Sequence, residues 1–302
     1  MDAPEPERLS AGRPGRPDTT GLDPERDARE IVFALSAWDF PWDIERALEF
    51  ALFRTYAVPS ISSLLARTGE FIQRTRKRYD DTELILAEIQ EHGADHPRGA
   101  AALARINQMH ARFRISNDDF LYVLSTFVFE PIRWIERFGW RRLTEAERAA
   151  MFHYYRDLGR RMGIRDIPED QAVFEAFNRD YEKTHFRYAE SNALIGMKTL
   201  DLLLGFYLPR AAFGLARPGA YALMDAPLLA AMGFPPAPRW LQQAAPAALR
   251  LRARLLRILP KRRRPHLLTR VRRPTYPKGY KIEELGVFAP ETGPAAAQSS
   301  SS

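Results

Sequence analysis

A chain of 302 residues can bury one substantial core, and 45% hydrophobic with 11% aromatic content describes an ordinary globular protein rather than a disordered one. It contains no cysteine, which excludes a disulfide framework and thiolate ligation, and no charge-free apolar run reaches the roughly 18 residues of a spanning helix. The net charge of +7 hides an asymmetry: residues 226–282 hold fourteen Lys or Arg and no acid, leaving 31 basic against 38 acidic residues elsewhere. A basic segment of this kind implies a local electrostatic partner.

Residues 1–27 are rich in Pro, Asp, Glu and Arg, lack an apolar core of signal-peptide type, and read as a disordered arm. A cytoplasmic location is the default expectation. Helical periodicity then runs almost without interruption. Residues 28–38 and 44–56 give two amphipathic segments, with Asp27 and Asp43 placed to cap them. A helix is expected over 60–78 after Pro59, a break at Asp80-Asp81, and a further helix over 83–92. Residues 99–115 form the next. Ser116 caps a helix to Phe138 that Pro131 kinks or divides, and Thr144-Glu-Ala-Glu147 is a capping box opening 144–162. Pro168 stands in the first turn of a helix through Tyr188. Strand and repeat signals are absent.

The expected fold is therefore all-α: a single domain of roughly eight helices over 28–240. A basic amphipathic C-terminal extension follows over 241–288, and a disordered tail over 289–302. In the extension Pro246 opens 247–259, where leucines alternate with arginines ahead of Lys261-Arg-Arg-Arg264. Such a helix suits an anionic membrane surface, with the body remaining in the cytoplasm. Packing of its leucines on the body is the competing structural reading. Nucleic acid is disfavoured, because the segment has no interleaved aromatics.

Chemistry concentrates around His110 in Arg105-Ile-Asn-Gln-Met-His110-Ala-Arg-Phe-Arg114. Ile106, Met109, His110 and Phe113 share one helix face. An imidazole on an apolar face needs a partner for its nitrogens; a metal is one, and satisfied core packing is the other. His92 and His96 do not make a metal pair, since Gly93 and Pro97 break the helix that would align them.

Five patterns occur together: Arg78-Tyr-Asp-Asp-Thr82, Arg105-x-x-x-x-His110, Asn117-Asp-Asp-Phe-Leu-Tyr122 leading to Phe129-Glu-Pro-Ile-Arg-Trp134, Tyr181-Glu-x-x-His185-x-x-Tyr188-x-x-x-Asn192, and Tyr276-Pro-Lys-Gly-Tyr280-x-Ile-Glu-Glu-Leu-Gly286. Over residues 30–286 they resemble the MpaB-type and rubber-oxygenase catalytic-domain family, which includes the latex clearing proteins, the MpaB-like branch being nearer. The resemblance implies an all-α fold holding haem b, with O2-dependent cleavage of isoprenoid C=C bonds. It implies His110 as the haem-iron ligand, and Arg78 and Thr82 as the pair close to the haem. Arg78 would neutralise a propionate or bond to distal oxygen. Latex clearing proteins carry a lysine immediately before that threonine; here the position is Asp81, which leaves a polar relay group or a helix cap.

The leading functional expectation is a haem b-dependent oxygenase acting on a hydrophobic alkene or isoprenoid. A non-enzymatic haem-binding or membrane-surface protein is the alternative. His185 shares a face with Phe177, Tyr181 and Tyr188 and is expected to pack among aromatics. Tyr122, Phe127 and Trp134 are expected to pack between helices, with lining of a cofactor pocket as the alternative for some of them, and Asp118 and Asp119 to act as N-terminal helix charges rather than paired catalytic acids.

Overall fold

The computed structural model describes residues 15–286. Among them there is no strand, only an isolated bridge between Arg273 and Tyr276, and the all-α expectation holds. Helix α1 (Ala28–Ala34) passes into a wide turn, Leu35–Asp39, that stops at Phe40. Pro41 opens α2 (Pro41–Tyr56). Proline has no N–H to satisfy and its fixed φ suits the first turn, so Asp43 lies inside α2 instead of capping it. There it is buried and accepts from Trp134 Nε1 at 3.3 Å and Arg252 at 3.0 Å.

The expected helix over 60–78 is divided. Helix α3 (Pro59–Thr68) ends at Gly69, whose φ of +73° turns the chain into the single turn α4 (Glu70–Gln73). Helix α5 (Thr75–His92) then runs without the break expected at Asp80-Asp81. Both carboxylates are buried inside it, tolerated because cations and hydroxyls from elsewhere meet them.

Helix α6 (Pro97–His110) ends at His110 itself, five residues earlier than its periodicity suggested. Ser116 caps α7 (Asn117–Phe138) by accepting from Asp119 N at 3.0 Å, and Pro131 does not divide that helix. The Thr144–Glu147 capping box opens α8 (Glu145–Arg161). Asp170, rather than Pro168, starts α9 (Gln171–His185). Four more follow: α10 (Glu190–Leu204), α11 (Phe213–Tyr221), α12 (Ala226–Met232) and α13 (Arg239–Ile258). The described residues thus form thirteen α-helices, not roughly eight. Beyond the eight stand α4, set off by Gly69, and α10 to α13, of which α13 takes in most of the helix expected over 247–259. Pro218 and Pro246 lie inside α11 and α13, each removing one ladder bond without ending its helix.

Helix α2 packs along α7, α5 along α6, α1 along α8, and α3 against α10. One apolar cluster is built around Leu35, Phe40, Leu84, Ile85, Val128 and Phe129. A second is built around Phe53, Tyr56, Phe71, Ile195, Leu228 and Met232.

Beyond α13 the chain returns across the body as a strap. His266 N donates to Ala37 O at 2.8 Å, Thr269 Oγ1 donates to Glu91 at 2.5 Å, and Tyr280 Oη to Glu88 at 2.6 Å. Leu285 is fully buried, and Arg105 Nε donates to its carbonyl at 2.7 Å. Of the arm expected over 1–27, residues 15–27 are described: Arg16 pairs with Asp39 at 2.8 Å and Leu22 packs on the core. Residues 1–14 and the tail expected over 289–302 lie outside the described residues.

Candidate functional site

Between the two apolar clusters lies a cavity of about 710 Å³, within the roughly 300–1,000 Å³ range of cofactor and small-molecule pockets. Its wall is mostly apolar: Leu52, Phe71 and Leu202 come from one side, and Ile85, Ile106, Phe120 and Phe127 from the other. The three residues singled out in the sequence, Arg78, Thr82 and His110, all line it.

His110 arrives at the C-terminal end of α6, its ring edge-on to Phe120 at 5.1 Å. No hydrogen bond to the ring is found among the described residues. Burial, and secondarily the Arg78 cation, depress its pKa to about 4, so the ring is neutral at pH 7 and its lone pair is available to a ligand-seeking centre.

Arg78 and Thr82 stand one turn apart on α5, where i and i+4 side chains share a face. The guanidinium donates to Thr82 Oγ1, which itself donates to the Arg78 carbonyl at 3.0 Å. Arg78 also lies over the Phe71 ring at 5.3 Å. Burial lowers its pKa, yet a guanidinium stays charged in a protein. Arg78 therefore presents a fixed cation to whatever enters, with Arg67 and Arg114, both exposed, also on the lining.

Asp81 is absent from the lining. It is buried, accepts from Lys77 Nζ at 2.7 Å and from Tyr276 Oη, and fastens the strap to α5. Of the two roles open to it, neither a distal relay nor a helix cap matches this position. His185 also lies away from the cavity, stacked on Tyr181 at 3.9 Å with Nδ1 3.0 Å from the Tyr181 carbonyl.

Other members of the motifs act as staples. Glu182 accepts from Arg54 Nε at 2.7 Å and from Tyr122 Oη at 3.2 Å. Asn192, fully buried, donates to the carbonyls of Arg187 at 2.8 Å and Ala231 at 2.9 Å. Trp134 packs on Phe138, while Phe127 reaches the cavity. Asp119 is more than a helix charge: it lines the cavity and accepts from Ser60 Oγ and Tyr181 Oη, each at 2.8 Å.

Sequence reasoning missed Tyr56 and Thr199. Both line the cavity, where their buried hydroxyls neighbour one another. They come from α2 and α10, in apolar stretches with no local pattern to mark them.

Residues 49–258 match the family model described as ER-bound oxygenase mpaB/B'/Rubber oxygenase, catalytic domain. This chain belongs to that family. The matched interval holds Arg78, Thr82 and His110, whereas the strap follows it. Among relatives, the ER-bound oxygenase mpaB' of Penicillium brevicompactum is 30% identical over 235 residues, covering 72% of this chain and 55% of the relative. The ER-bound oxygenase mpaB of the same organism is 36% identical over 176 residues, covering 52% and 45%. That of Penicillium roqueforti (strain FM164) is 34% identical over 146 residues, covering 46% and 49%. The chain thus spans about half the length of the curated relatives it matches. Those relatives are named as ER-bound oxygenases. No described helix is long and apolar enough to cross a membrane.

Proposed function

We propose that the chain is a haem b-dependent oxygenase whose substrate is a hydrophobic alkene or isoprenoid, cleaved oxidatively at C=C. The observation that carries this reading is His110: a neutral imidazole, without a hydrogen-bond partner among the described residues, on the wall of an apolar cavity that also holds Arg78 and Thr82.

The residues fit the group. No set of three or more His, Asp or Glu assembles into a metal site among the described residues, so a centre ligated wholly by side chains has no donor set. Haem brings four nitrogens of its own and needs from the protein one axial histidine and a hydrophobic slot. His110 would supply the first, and the apolar wall the second. Arg78 would hold a propionate, or donate to an oxygen atom entering the cavity, through its fork of N–H donors. Bound haem would supply the iron at which O2 is activated. Thr82 holds the Arg78 fork in place by accepting from it. The apolar lining excludes water and accepts a prenyl-like chain by area burial, at about 25 cal/mol per Å².

Helix α13 supports a membrane-surface setting for such a substrate. Arg252 anchors it to the body through Asp43 at 3.0 Å and the Trp42 ring at 3.9 Å. Leu251, Leu255, Ile258 and Leu259 remain 50–81% exposed beside Arg250, Arg254 and the exposed run Lys261 to Arg264. Apolar side chains flanked by arginines match the interfacial zone of an anionic bilayer.

The test is absorption spectroscopy. The purified protein reconstituted with haem b should show a stoichiometric Soret band, and His110→Ala should lose it while retaining its far-UV circular dichroism. Equal haem content and an identical spectrum in both proteins would refute the assignment.

A further inference from the structure

Helix α5 presents a second i, i+4 pair beside the first. Tyr79 and Glu83 stand next to Arg78 and Thr82, and they open on a smaller chamber of about 80 Å³. The two cavities share a wall that includes Leu52, Tyr79, Thr82, Phe127 and Tyr155. The main cavity is apolar apart from its few polar groups, but the chamber gathers carboxylates: Glu45 and Glu49 from α2, and Glu83 and Glu91 from α5. Nothing in the reading above uses them.

The geometry around Tyr79 constrains their protonation. Its hydroxyl oxygen lies 3.1 Å from Glu49 Oε1 and 3.3 Å from Glu83 Oε1. A phenol donates one hydrogen. If both carboxylates were ionised, one of these contacts would set two oxygen lone pairs against each other in a desolvated place, so the arrangement calls for one further proton held by a carboxyl.

The charges facing the group agree. Arg46 of α2 reaches Glu49 at 2.5 Å, and Arg273 of the strap reaches Glu83 at 2.5 Å. Against these two cations stand Glu45, Glu49, Glu83 and Asp80, with Asp80 also held by Arg76 at 3.0 Å. Burial pushes Glu49 up to about 7 and raises Glu83 as well. At the outer end His266 Nε2 meets Glu45 Oε1 at 3.0 Å, and both residues are partly exposed.

We propose that Glu49, Tyr79 and Glu83 form a proton station that exchanges one proton between solvent, at His266 and Glu45, and the main cavity, at Tyr79 and Thr82. In the forward step the Tyr79 hydroxyl gives its proton toward the Thr82 side and takes the carboxyl proton in its place. The emptied carboxylate is then reprotonated from solvent past Glu45 and His266. The chamber exceeds the roughly 10–15 Å³ that one water requires, and both Tyr79 and Thr82 line it, so it has room for a water between the two hydroxyls. The acceptor is a substrate or oxygen-derived oxygen that gains negative charge in the cavity. That purpose rests on the oxygenase reading; the station itself does not.

Two measurements on the full chain test this. Infrared titration reads the protonated-carboxyl carbonyl band directly, with no need of haem or turnover. The wild type should show a band that titrates away near neutral pH, and Glu49→Gln and Glu83→Gln should each remove it, because an amide beside the phenol relieves the repulsion. Absence of the band in mildly acidic buffer overturns the station. On the haem-loaded protein, alkene-dependent oxygen uptake should fall in kcat by about 10²-fold in Glu83→Gln and Tyr79→Phe, within the range of general acid–base effects. KM and haem content should stay unchanged, and the neutral-pH inflection should be lost. A wild-type kcat and pH profile in both variants overturns the relay. If the wild type consumes no oxygen with any alkene, the oxygenase reading and the relay fall together, and the infrared band alone decides the station.

Discussion

Arg273→Met is the sharpest test of how the strap holds the body together. Arg273 is 6% exposed, and its fork reaches Asp80 at 3.0 Å and Glu83 at 2.5 Å. Methionine keeps the apolar stem and removes both ion pairs. Removing one partner of a buried pair costs about 3–5 kcal/mol, because the other charge is left without compensation. Asp80 retains Arg76 at 3.0 Å and Thr275 Oγ1 at 2.5 Å, so its share is small. Glu83 retains only the Tyr79 phenol at 3.3 Å. Burial already raises its pKa above 4.5, and loss of Arg273 raises it further. A carboxyl whose folded pKa is raised contributes its full stability below the unfolded value and loses it as pH rises through the folded one. The variant should therefore be less stable by about 3 kcal/mol near pH 8, with a smaller deficit near pH 5, since lower pH favours the protonated carboxyl. Urea unfolding followed by far-UV circular dichroism at the two pH values measures both quantities, with the slope m checked for constancy. Adding Glu83→Gln should recover part of the loss at high pH. A deficit under about 1 kcal/mol, or one independent of pH, would show that these pairs are solvated in practice and that the strap is held by its apolar contacts.

Two further outcomes follow from the site and from α13. Arg78→Ala and Thr82→Ala should retain haem yet lower alkene oxidation by about 10²-fold, the scale of losing one preorganised donor; wild-type turnover in both would confine the pair to holding α5. Replacing exposed Leu251, Leu255 and Ile258 with serine should weaken co-sedimentation with anionic vesicles at least tenfold at low salt, with haem content unchanged. Equal binding of variant and wild type would remove α13 as a membrane contact. Substitution is preferable to truncation here, since cutting within α13 would also delete the strap that packs on α5 and α6.

Local signals were legible and long-range ones were not. The Ser116 cap, the Thr144–Glu147 box and the apolar face carrying His110 are set by neighbours within one or two turns, and each is found where its spacing placed it. Asp80-Asp81 read as a break because two adjacent acids rarely enter a core. Their partners, Arg273 and Tyr276, lie 193 and 195 residues further on, beyond any window of periodicity. The same holds for the site. Arg78, Thr82 and His110 stand in recognisable patterns, and the fold brings them to one cavity. Tyr56, Thr199 and Glu49 reach it or its neighbouring chamber from helices whose sequence near those positions carries no motif. Only the packing of α2 and α10 against the rest assembles them.

The strap has a consequence for the order in which the molecule is made. A ribosome delivers α5 and α6 long before residues 266–286, so the acids of α5 must wait in a nascent chain for partners nearly two hundred residues away. Contacts that distant form late, once the intervening helices have bundled. Until then the end of α6 that carries His110 lacks the Arg105–Leu285 tie and the close approach of Gly286 to Met109. The cavity is thereby left with an unfinished rim until the strap arrives, so the last described residues, 266–286, complete a wall whose other parts were made long before.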